Sequence, residues 1–320
     1  MKIGDVDIDG CITDFISTSD KMYCIKERGI YAVQLADNID PERNNPEISD
    51  TQQKIFSVGS ESPLVAKTIL TAYKLFRKTY LGSNFDDNSA IFFAIKLLED
   101  IIALDEIKTR TVNAINEALH NCIEQNNEAG IVVLPSTNYL KHSFDSFAQK
   151  AGHFINVLEN IARLFYKTEL SKKWITSLKN MVVKKEGAGS PFAVFMQEAG
   201  RFLLLTNDIR NMVEHPKTNK RIDLNDFRLL PTGLIDPPTM TIVRPNEEDV
   251  KASVEWWMGR VVGDLSDISE LLMAHLCRIN MHCLSNIPTI VTKLPQEQRR
   301  NKNVCFSYAV VIGDNVVPFD

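Results

Sequence analysis

The stretch between the prolines at positions 191 and 216 constrains the fold more than any other part of this chain. It reads PFAVFMQEAGRFLLLTNDIRNMVEHP, and apolar residues recur every three or four positions from Phe192 to Val213. This spacing places them on one face of an α-helix. A serine and a proline at the start are typical of a helix N-terminus, and the second proline forbids continuation, so we predict a helix that ends near His215.

The remaining pattern divides the chain into four segments and predicts a mainly α protein. In order they are a β-rich N-terminal segment, a helical region, a helical bundle and a C-terminal β segment, at 1–60, 61–140, 141–285 and 286–320. The bundle contains the helix described above. We expect the strands of the first and last segments to pair into one small sheet.

Several local expectations follow from turn and cap residues. A turn between two short strands is predicted around Glu27-Arg28-Gly29, and another turn is predicted at Gly313-Asp314. The proline-rich part predicts a small hairpin of 226–230 with 239–243. Asn246, followed by three acidic residues, is expected to cap the last long helix.

Charge and composition exclude some classes of protein. The net charge of −5 argues against a globally basic nucleic-acid binder, although it allows a local basic patch. No apolar run approaches the length of a transmembrane helix, and the N-terminus lacks the apolar core of a signal peptide. The six cysteines are scattered without zinc-finger spacing. We therefore expect a protein of the cytoplasm with free thiols and no membrane contact.

An acidic loop and four histidines give weaker signals. DVDIDG at 5–10 begins like a calcium loop, but its twelfth position is Ile16 and not an acid, so we favour a strand with Val6 and Ile8 facing inward and predict no metal site. His153 and His275 lie in or beside helical apolar stripes and are expected in the core or at its boundary. His120 and His142 are isolated.

The end of the 191–216 helix concentrates groups that handle phosphate. Arg210 and Glu214 are four residues apart, as are Asn211 and His215, so each pair shares a helix face. Arginine suits bidentate phosphate contact, and histidine exchanges protons near neutral pH. Glu214 can hold the guanidinium and Asn211 can position the imidazole or a ribose. Arg210 and His215 diverge by about 140° around the helix, so two copies of the chain would be needed to build a shared cleft.

A local basic stretch follows this helix. Lys217, Lys220 and Arg221 lie within a few residues of His215, in an otherwise acidic protein. Such a patch attracts RNA phosphate in a salt-dependent manner. We therefore name these three residues as candidate RNA-binding residues.

The sequence RNMVEH, at the end of a long apolar helix inside a helical bundle, resembles the HEPN superfamily (higher eukaryotes and prokaryotes nucleotide-binding), and in particular bacterial HEPN-like proteins of unassigned role. The resemblance covers 143–282 and does not extend to the N-terminal 140 residues. It implies a HEPN-like helical bundle, often dimeric, that cleaves RNA without a metal or other cofactor. Arg210, Asn211 and His215 would be the catalytic residues and Glu214 a supporting residue. A toxin or phage-defence role, with an antitoxin or regulatory protein as partner, is also implied.

Two alternatives remain open on the sequence. In the first, the helix end is structural: Arg210 pairs with Glu214, and a protonated His215 is favourable at the negative pole of the helix. The protein would then be a non-catalytic interaction or regulatory protein. In the second, the same residues bind a small nucleotide without cleaving it.

Overall fold

The protein is seen in a computed structural model that describes residues 3–18, 21–125, 132–282, 288–312 and 315–319. The chain forms two compact units, each built from several stretches of sequence. The first comprises Met1–Leu98, Asn160–Lys167 and Ser266–Asp320, and the second comprises Glu99–Glu159 and Thr168–Leu265. The predicted Gly313-Asp314 turn lies outside the described residues.

The helices range from single turns to a helix of 39 residues. The α-helices of the described chain are α1 Val6–Asp9, α2 Ala36–Ile39, α3 Pro63–Val65, α4 Thr71–Leu75, α5 Lys78–Leu81, α6 Asp87–Gln125, α7 Leu140–Phe165, α8 Trp174–Glu186, α9 Pro191–Glu214 and α10 Val254–Asn280. A π-helical turn, Ala66–Leu70, joins α3 to α4, and a 3₁₀ turn covers Gln296–Gln298.

The strands of the described chain form four antiparallel sheets. They are β1 Ile12–Ser17, β2 Met22–Lys26, β3 Ile30–Gln34, β4 Thr51–Phe56, β5 Arg221–Asn225, β6 Arg228–Leu229, β7 Ile235–Asp236, β8 Thr239–Val243, β9 Val250–Ser253, β10 Thr289–Lys293, β11 Phe306–Ile312 and β12 Asn315–Pro318. Their orders are β1-β2-β3-β4, β5-β8-β9, β6-β7 and β10-β11-β12.

This content corrects the predicted fold class. The structure is 51% helical and 19% strand, so it is a mixed α/β protein and not the mainly α, HEPN-like bundle that we predicted. The expected single sheet from the two termini is also wrong, because β1–β4 and β10–β12 form separate sheets. The strands that the pattern missed are short and partly polar. They are stabilised by pairing with strands distant in sequence, which local periodicity does not report.

The first unit packs its strands and helix ends around aromatic side chains. On the N-terminal sheet, Cys24 on β2 and Tyr31 and Val33 on β3 are buried together with Ile3. In the C-terminal sheet, the Tyr308 ring stacks on Tyr80 with centroids 3.9 Å apart. Its hydroxyl donates to the Leu75 carbonyl oxygen at 2.7 Å, so a fully buried tyrosine keeps a hydrogen bond.

The second unit has a helical core that supports α9. Phe144 and Phe147 of α7 both contact the ring of Trp257 on α10, at centroid distances of 4.8 and 5.3 Å. Phe154 of α7 and Phe192 of α9 are also fully buried. The buried face of α9 matches the periodicity that predicted it.

Three local expectations are settled by strand pairing. The turn around Glu27-Arg28-Gly29 is confirmed, since it joins β2 to β3. The 226–230 with 239–243 hairpin is wrong, because β8 pairs with β5 and β9, and β6 pairs with β7. Asn246 does not cap a helix: it has a φ of 60° before β9, and the extended pairing of Thr239 with Ser253 delays the helix until Val254.

The thiols and helix lengths complete the description. Five cysteines are described, and all are free: Cys11 is exposed, Cys305 is half-buried, and Cys24, Cys122 and Cys277 are buried. Cys283 lies outside the described residues. None of the helices described has the length and apolarity needed to cross a membrane.

Candidate functional site

The candidate site lies at the C-terminal end of α9, and both ends of that helix follow local rules. The Ser190 side chain accepts a hydrogen bond from the Ala193 amide at 3.3 Å, which confirms the predicted cap. The helix ends at Glu214. His215 then leaves the helical conformation (φ −133°, ψ 63°), although its amide still donates to the Asn211 carbonyl oxygen at 2.9 Å. Pro216 follows and prevents a further turn.

The Arg210 guanidinium is held on two sides by its own helix. Its Nε lies 2.9 Å from Glu214 Oε1, which confirms the predicted ion pair four residues along the helix. Its Nη1 donates to Asn211 Oδ1 at 3.2 Å. The Arg210 side chain is 38% exposed and that of Glu214 is 21% exposed. No hydrogen bond from Nη2 is found within the described residues.

A glycine on the neighbouring helix sets the path of the Arg210 side chain. A Cβ placed at Gly152 of α7 would lie 3.0 Å from Arg210 Cγ and 3.3 Å from its Cδ. The arginine stem therefore lies directly on the α7 backbone, where a larger residue would displace it. A half-exposed ion pair of this kind stabilises by only about 0.3–0.5 kcal/mol. The packing and the pair thus serve mainly to orient the guanidinium.

His215 occupies the position after the helix and is exposed. We had expected His215 to share a helix face with Asn211. Because the backbone of His215 is not helical, this expectation is wrong. His215 keeps only one helical contact with Asn211, the hydrogen bond from its amide to the Asn211 carbonyl oxygen. The imidazole is therefore presented to solvent at the helix end, beside the residues that hold Arg210.

The three predicted RNA-binding residues differ in their surroundings. Arg221 makes a bidentate pair with Asp223, with both N···O distances at 2.8 Å, and this carboxylate raises the pKa of the guanidinium. Lys220 Nζ lies 2.5 Å from Asp208 Oδ1. Lys217 is exposed, and no ion pair to it occurs within the described ranges. Two of the three cations are thus already neutralised inside the chain.

The other four histidines considered in the sequence analysis lie outside the candidate site. His153 Nδ1 pairs with the carboxylate of the buried Asp100, which also accepts from Lys150 Nζ at 3.1 Å. Burial lowers the pKa of His275 to about 4, so this imidazole stays neutral. His275 is half-buried, in agreement with the prediction, whereas the His153 side chain is 56% exposed, so its predicted core or boundary position is wrong. His120 on α6 and His142 on α7 are both exposed.

Lysines from two strands of the N-terminal sheet bind the acidic loop at 5–10, one of them at the Asp9 carboxylate. It forms α1, and Ile8 is 65% exposed, so the expected inward-facing strand is wrong. The buried Lys26 ammonium donates to the carbonyl oxygens of Ile3 and Asp5, at 3.1 and 2.9 Å. Asp9 accepts from Lys54 Nζ at 2.7 Å. Across the described ranges, no group of three or more His, Cys, Asp or Glu side chains could hold a metal ion.

A groove beside the candidate site was not predicted from the sequence. It lies between the start of α8 and the exposed face of α9, and Asn211 is one of its lining residues. The local signal for α8 was present, since Trp174, Ile175, Leu178 and Val182 follow a helical spacing and are buried. Arg244 follows the end of β8 and is distant in sequence from α8, so no local pattern predicts that it lines this groove.

Comparison with models of known families, with curated proteins and with solved structures found no match to this chain.

Proposed function

We propose that this protein is a metal-independent endoribonuclease, with its catalytic residues at the end of α9. The observation that carries the proposal is an oriented, half-exposed guanidinium in the last turn of a helix that an exposed histidine directly follows. Arg210 is fixed by Glu214, Asn211 and the α7 backbone at Gly152, and His215 follows the same helix turn. This is the pairing of phosphate-binding and proton-transferring groups that phosphodiester cleavage requires.

The reaction follows from these groups and from the RNA itself. The ribose 2′-oxygen attacks the adjacent phosphorus, a P–O2′ bond forms, and the P–O5′ bond breaks. The products are a 2′,3′-cyclic phosphate and a 5′-hydroxyl. His215 accepts the proton of the 2′-hydroxyl or donates one to the departing 5′-oxygen. Arg210 neutralises charge on the phosphate oxygens, and Asn211 positions the ribose or the guanidinium.

One copy of the chain presents one histidine, whereas the reaction needs one group to accept a proton and another to donate one. We therefore infer a homodimer in which two helix ends, each with Arg210 and His215, face one phosphate. Of the predicted RNA-binding residues, Lys217 would contact the flanking strand, since Lys220 and Arg221 are paired with carboxylates. An antitoxin or other regulatory protein would act by covering the same helix end.

The test compares site variants with matched controls from the same unit. Arg210→Ala and His215→Ala are incubated with a labelled single-stranded RNA, beside Arg260→Ala and His142→Ala. Arg260 has an equivalent exposed pair with Asp264, and His142 is an exposed histidine on α7. We expect cleavage to fall at least 100-fold in the site variants and to stay within twofold of wild type in the controls. Equal activity of all four variants would refute the proposed roles.

A non-catalytic function is favoured by a different observation. The cations near the helix end are largely neutralised within the chain: Arg210 by Glu214, Lys220 by Asp208 and Arg221 by Asp223. A helix end of this kind also suits an interaction or regulatory protein, or a nucleotide-binding module. That function predicts a nucleotide-dependent rise in thermal stability, with RNA left intact by the folded protein.

A further inference from the structure

The groove beside the candidate site has a volume of about 840 Å³ and lies wholly within the second unit. One wall is the first turn of α8, and the other is the exposed face of α9. The two helices meet closely, because a Cβ at Gly200 would lie 3.2 Å from Ile175 Cγ2. Trp174 and Ile175 are buried and anchor the start of α8. The lysines that precede α8 are thereby held at the groove.

The charge of the groove is opposite to that of the whole chain. Lys172, Lys173, Arg201 and Arg244 line it, and Asp208 is the one carboxylate among the lining residues. Arg244 Nη2 lies 3.2 Å from Asp208 Oδ2 and its Nη1 lies 3.3 Å from Glu247 Oε2, so two carboxylates hold this guanidinium at the groove. Its Nε is buried and has no hydrogen-bond partner within the described chain. A buried donor without an acceptor is unfavourable, so this guanidinium lacks one of its hydrogen bonds.

The backbone of α8 adds to this positive potential. Its N-cap residue is Lys173, which provides no side-chain cap for the amides of the first turn. These amides carry the positive end of the helix dipole and are suited to hold a phosphate oxygen. The groove therefore combines two lysines that make no ion pair within the described residues, the weakly paired Arg201 and the carboxylate-paired Arg244 with uncapped amides. Arg201 has one competing partner, Glu198 at 3.6 Å, and this pair is exposed and weak.

The remaining lining residues match the other parts of a nucleotide. Leu204 is 51% exposed and Leu205 is also exposed, so an apolar surface is available to a base. Asn207 and Asn211 line the groove and offer amide groups to base edges or ribose hydroxyls. Asn211 is also the residue that accepts from Arg210. A strand lying in the groove would thus lead directly to the candidate site.

We propose that this groove binds single-stranded RNA on one side of the phosphate to be cleaved, with phosphates on the lysine side and bases against the leucines. The inference rests on the proposed function, because it makes the groove the substrate-binding surface of that same site. Lys220 and Arg221 of the predicted basic stretch are paired with carboxylates and are not assigned to this surface. Lys172 and Lys173 at the start of α8 add to Lys217 as cations available for RNA.

The test uses a strand that can bind but cannot be cleaved by its own 2′-hydroxyl. A fluorescent single-stranded 2′-O-methyl oligoribonucleotide is titrated with the full chain, and anisotropy is followed between 50 and 300 mM salt. The groove variant is Lys172→Gln with Lys173→Gln. The control is Lys184→Gln with Lys185→Gln, an adjacent exposed pair at the other end of α8. Both variants lose two charges from the same helix, and circular dichroism checks their folding.

We expect the groove variant to bind about 25-fold more weakly at 0.1 M salt, and its log–log salt slope to fall by about 1.4. Each phosphate contact with a single strand contributes a slope of about 0.7. The control should bind within threefold of wild type. Arg201→Gln provides a second groove variant, with about a fivefold loss expected.

Three outcomes would separate this inference from the proposed function. Equal losses in the groove and control variants, or no binding by wild type, would overturn the inference. Cleavage of ordinary RNA by wild type with unchanged binding of the groove variant would also overturn it, while the proposed function would stand. Groove-dependent binding without cleavage would support the groove and refute the nuclease.

Discussion

Gly152 provides a way to displace Arg210 without changing any residue at the candidate site. In Gly152→Ala, the new Cβ would lie 3.0 Å from Arg210 Cγ. Carbon atoms prefer separations of about 3.5–4.0 Å, so the arginine stem must shift by about 0.5 Å or rotate. The guanidinium lies further along the side chain and moves more than the stem does. A displacement of about 1 Å at a reacting group costs on the order of 100-fold, so we expect cleavage to fall by about tenfold or more.

The same substitution should not destabilise the fold. Alanine is favoured over glycine inside a helix by about 1 kcal/mol. Loss of the half-exposed pair between Arg210 and Glu214 costs only about 0.5 kcal/mol. The free energy of unfolding in urea should therefore change by less than about 1 kcal/mol. Reduced cleavage in a protein of unchanged stability would show that the position of Arg210, and not its presence alone, supports activity.

A matched control separates this effect from a general effect of alanine. Gly263 is exposed on α10, and a Cβ there would have no neighbour within 4 Å. Gly263→Ala should raise stability by up to about 1 kcal/mol and leave the cleavage rate unchanged. The reasoning is refuted if Gly152→Ala cleaves RNA as fast as wild type. It is equally refuted if both glycine variants lose activity together.

Two further predictions concern the first unit. Hydrogen bonds from Lys54 and Tyr31 lower the pKa of the Asp9 carboxyl to about 2, so its stabilising effect is present above about pH 4 and is lost as the pH falls through 2. Asp9→Asn should therefore be less stable than wild type at pH 7. Between pH 4 and 2, its free energy of unfolding in urea should fall less than that of wild type. Equal pH dependence of the two proteins would contradict this. Burial raises the pKa of the Cys277 thiol, so iodoacetamide should modify Cys11 in the native protein and Cys277 only after unfolding, as read by peptide mass spectrometry. Native modification of Cys277 at the rate of Cys11 would show that its burial is wrong.

The parts of the fold that were predictable are those whose signals are local. The N-cap of α9 and the turn between β2 and β3 depend on adjacent residues, and both were found where the sequence predicted them. The mixed α/β class was not predicted. Strand β5 reads RIDLN and β9 reads VKAS, and neither has a strong strand pattern. Their extended form depends on β8, which lies between them in the sheet.

Asn246 shows how such pairing overrides a local signal. An asparagine followed by three acids is a good helix start. The hydrogen bonds of β9 with β8 nevertheless keep Val250–Ser253 extended, so the helix starts at Val254. The paired residues of β8 and β9 are 8 to 14 positions apart, which is outside the reach of a cap pattern.

The candidate site shows the same division. The Arg210–Glu214 pair was predictable, because residues four apart meet on any helix. The packing of Arg210 on Gly152 depends on how α7 lies against α9, and the neutralisation of Lys220 by Asp208 depends on where the chain turns after Pro216. The groove at the start of α8 depends on both helix packing and the distant Arg244. Charge along the sequence therefore did not indicate that Lys220 and Arg221 pair with carboxylates of the same chain.

The most direct test of the central claim is the chemical identity of RNA ends produced by the purified wild-type chain in EDTA. The account predicts cleavage in EDTA that leaves 2′,3′-cyclic phosphate and 5′-hydroxyl ends, with no such products from folded His215→Ala. Intact RNA from the folded wild-type chain would contradict the account. So would products that end in 3′-hydroxyl and 5′-phosphate, or cleavage that requires a divalent metal.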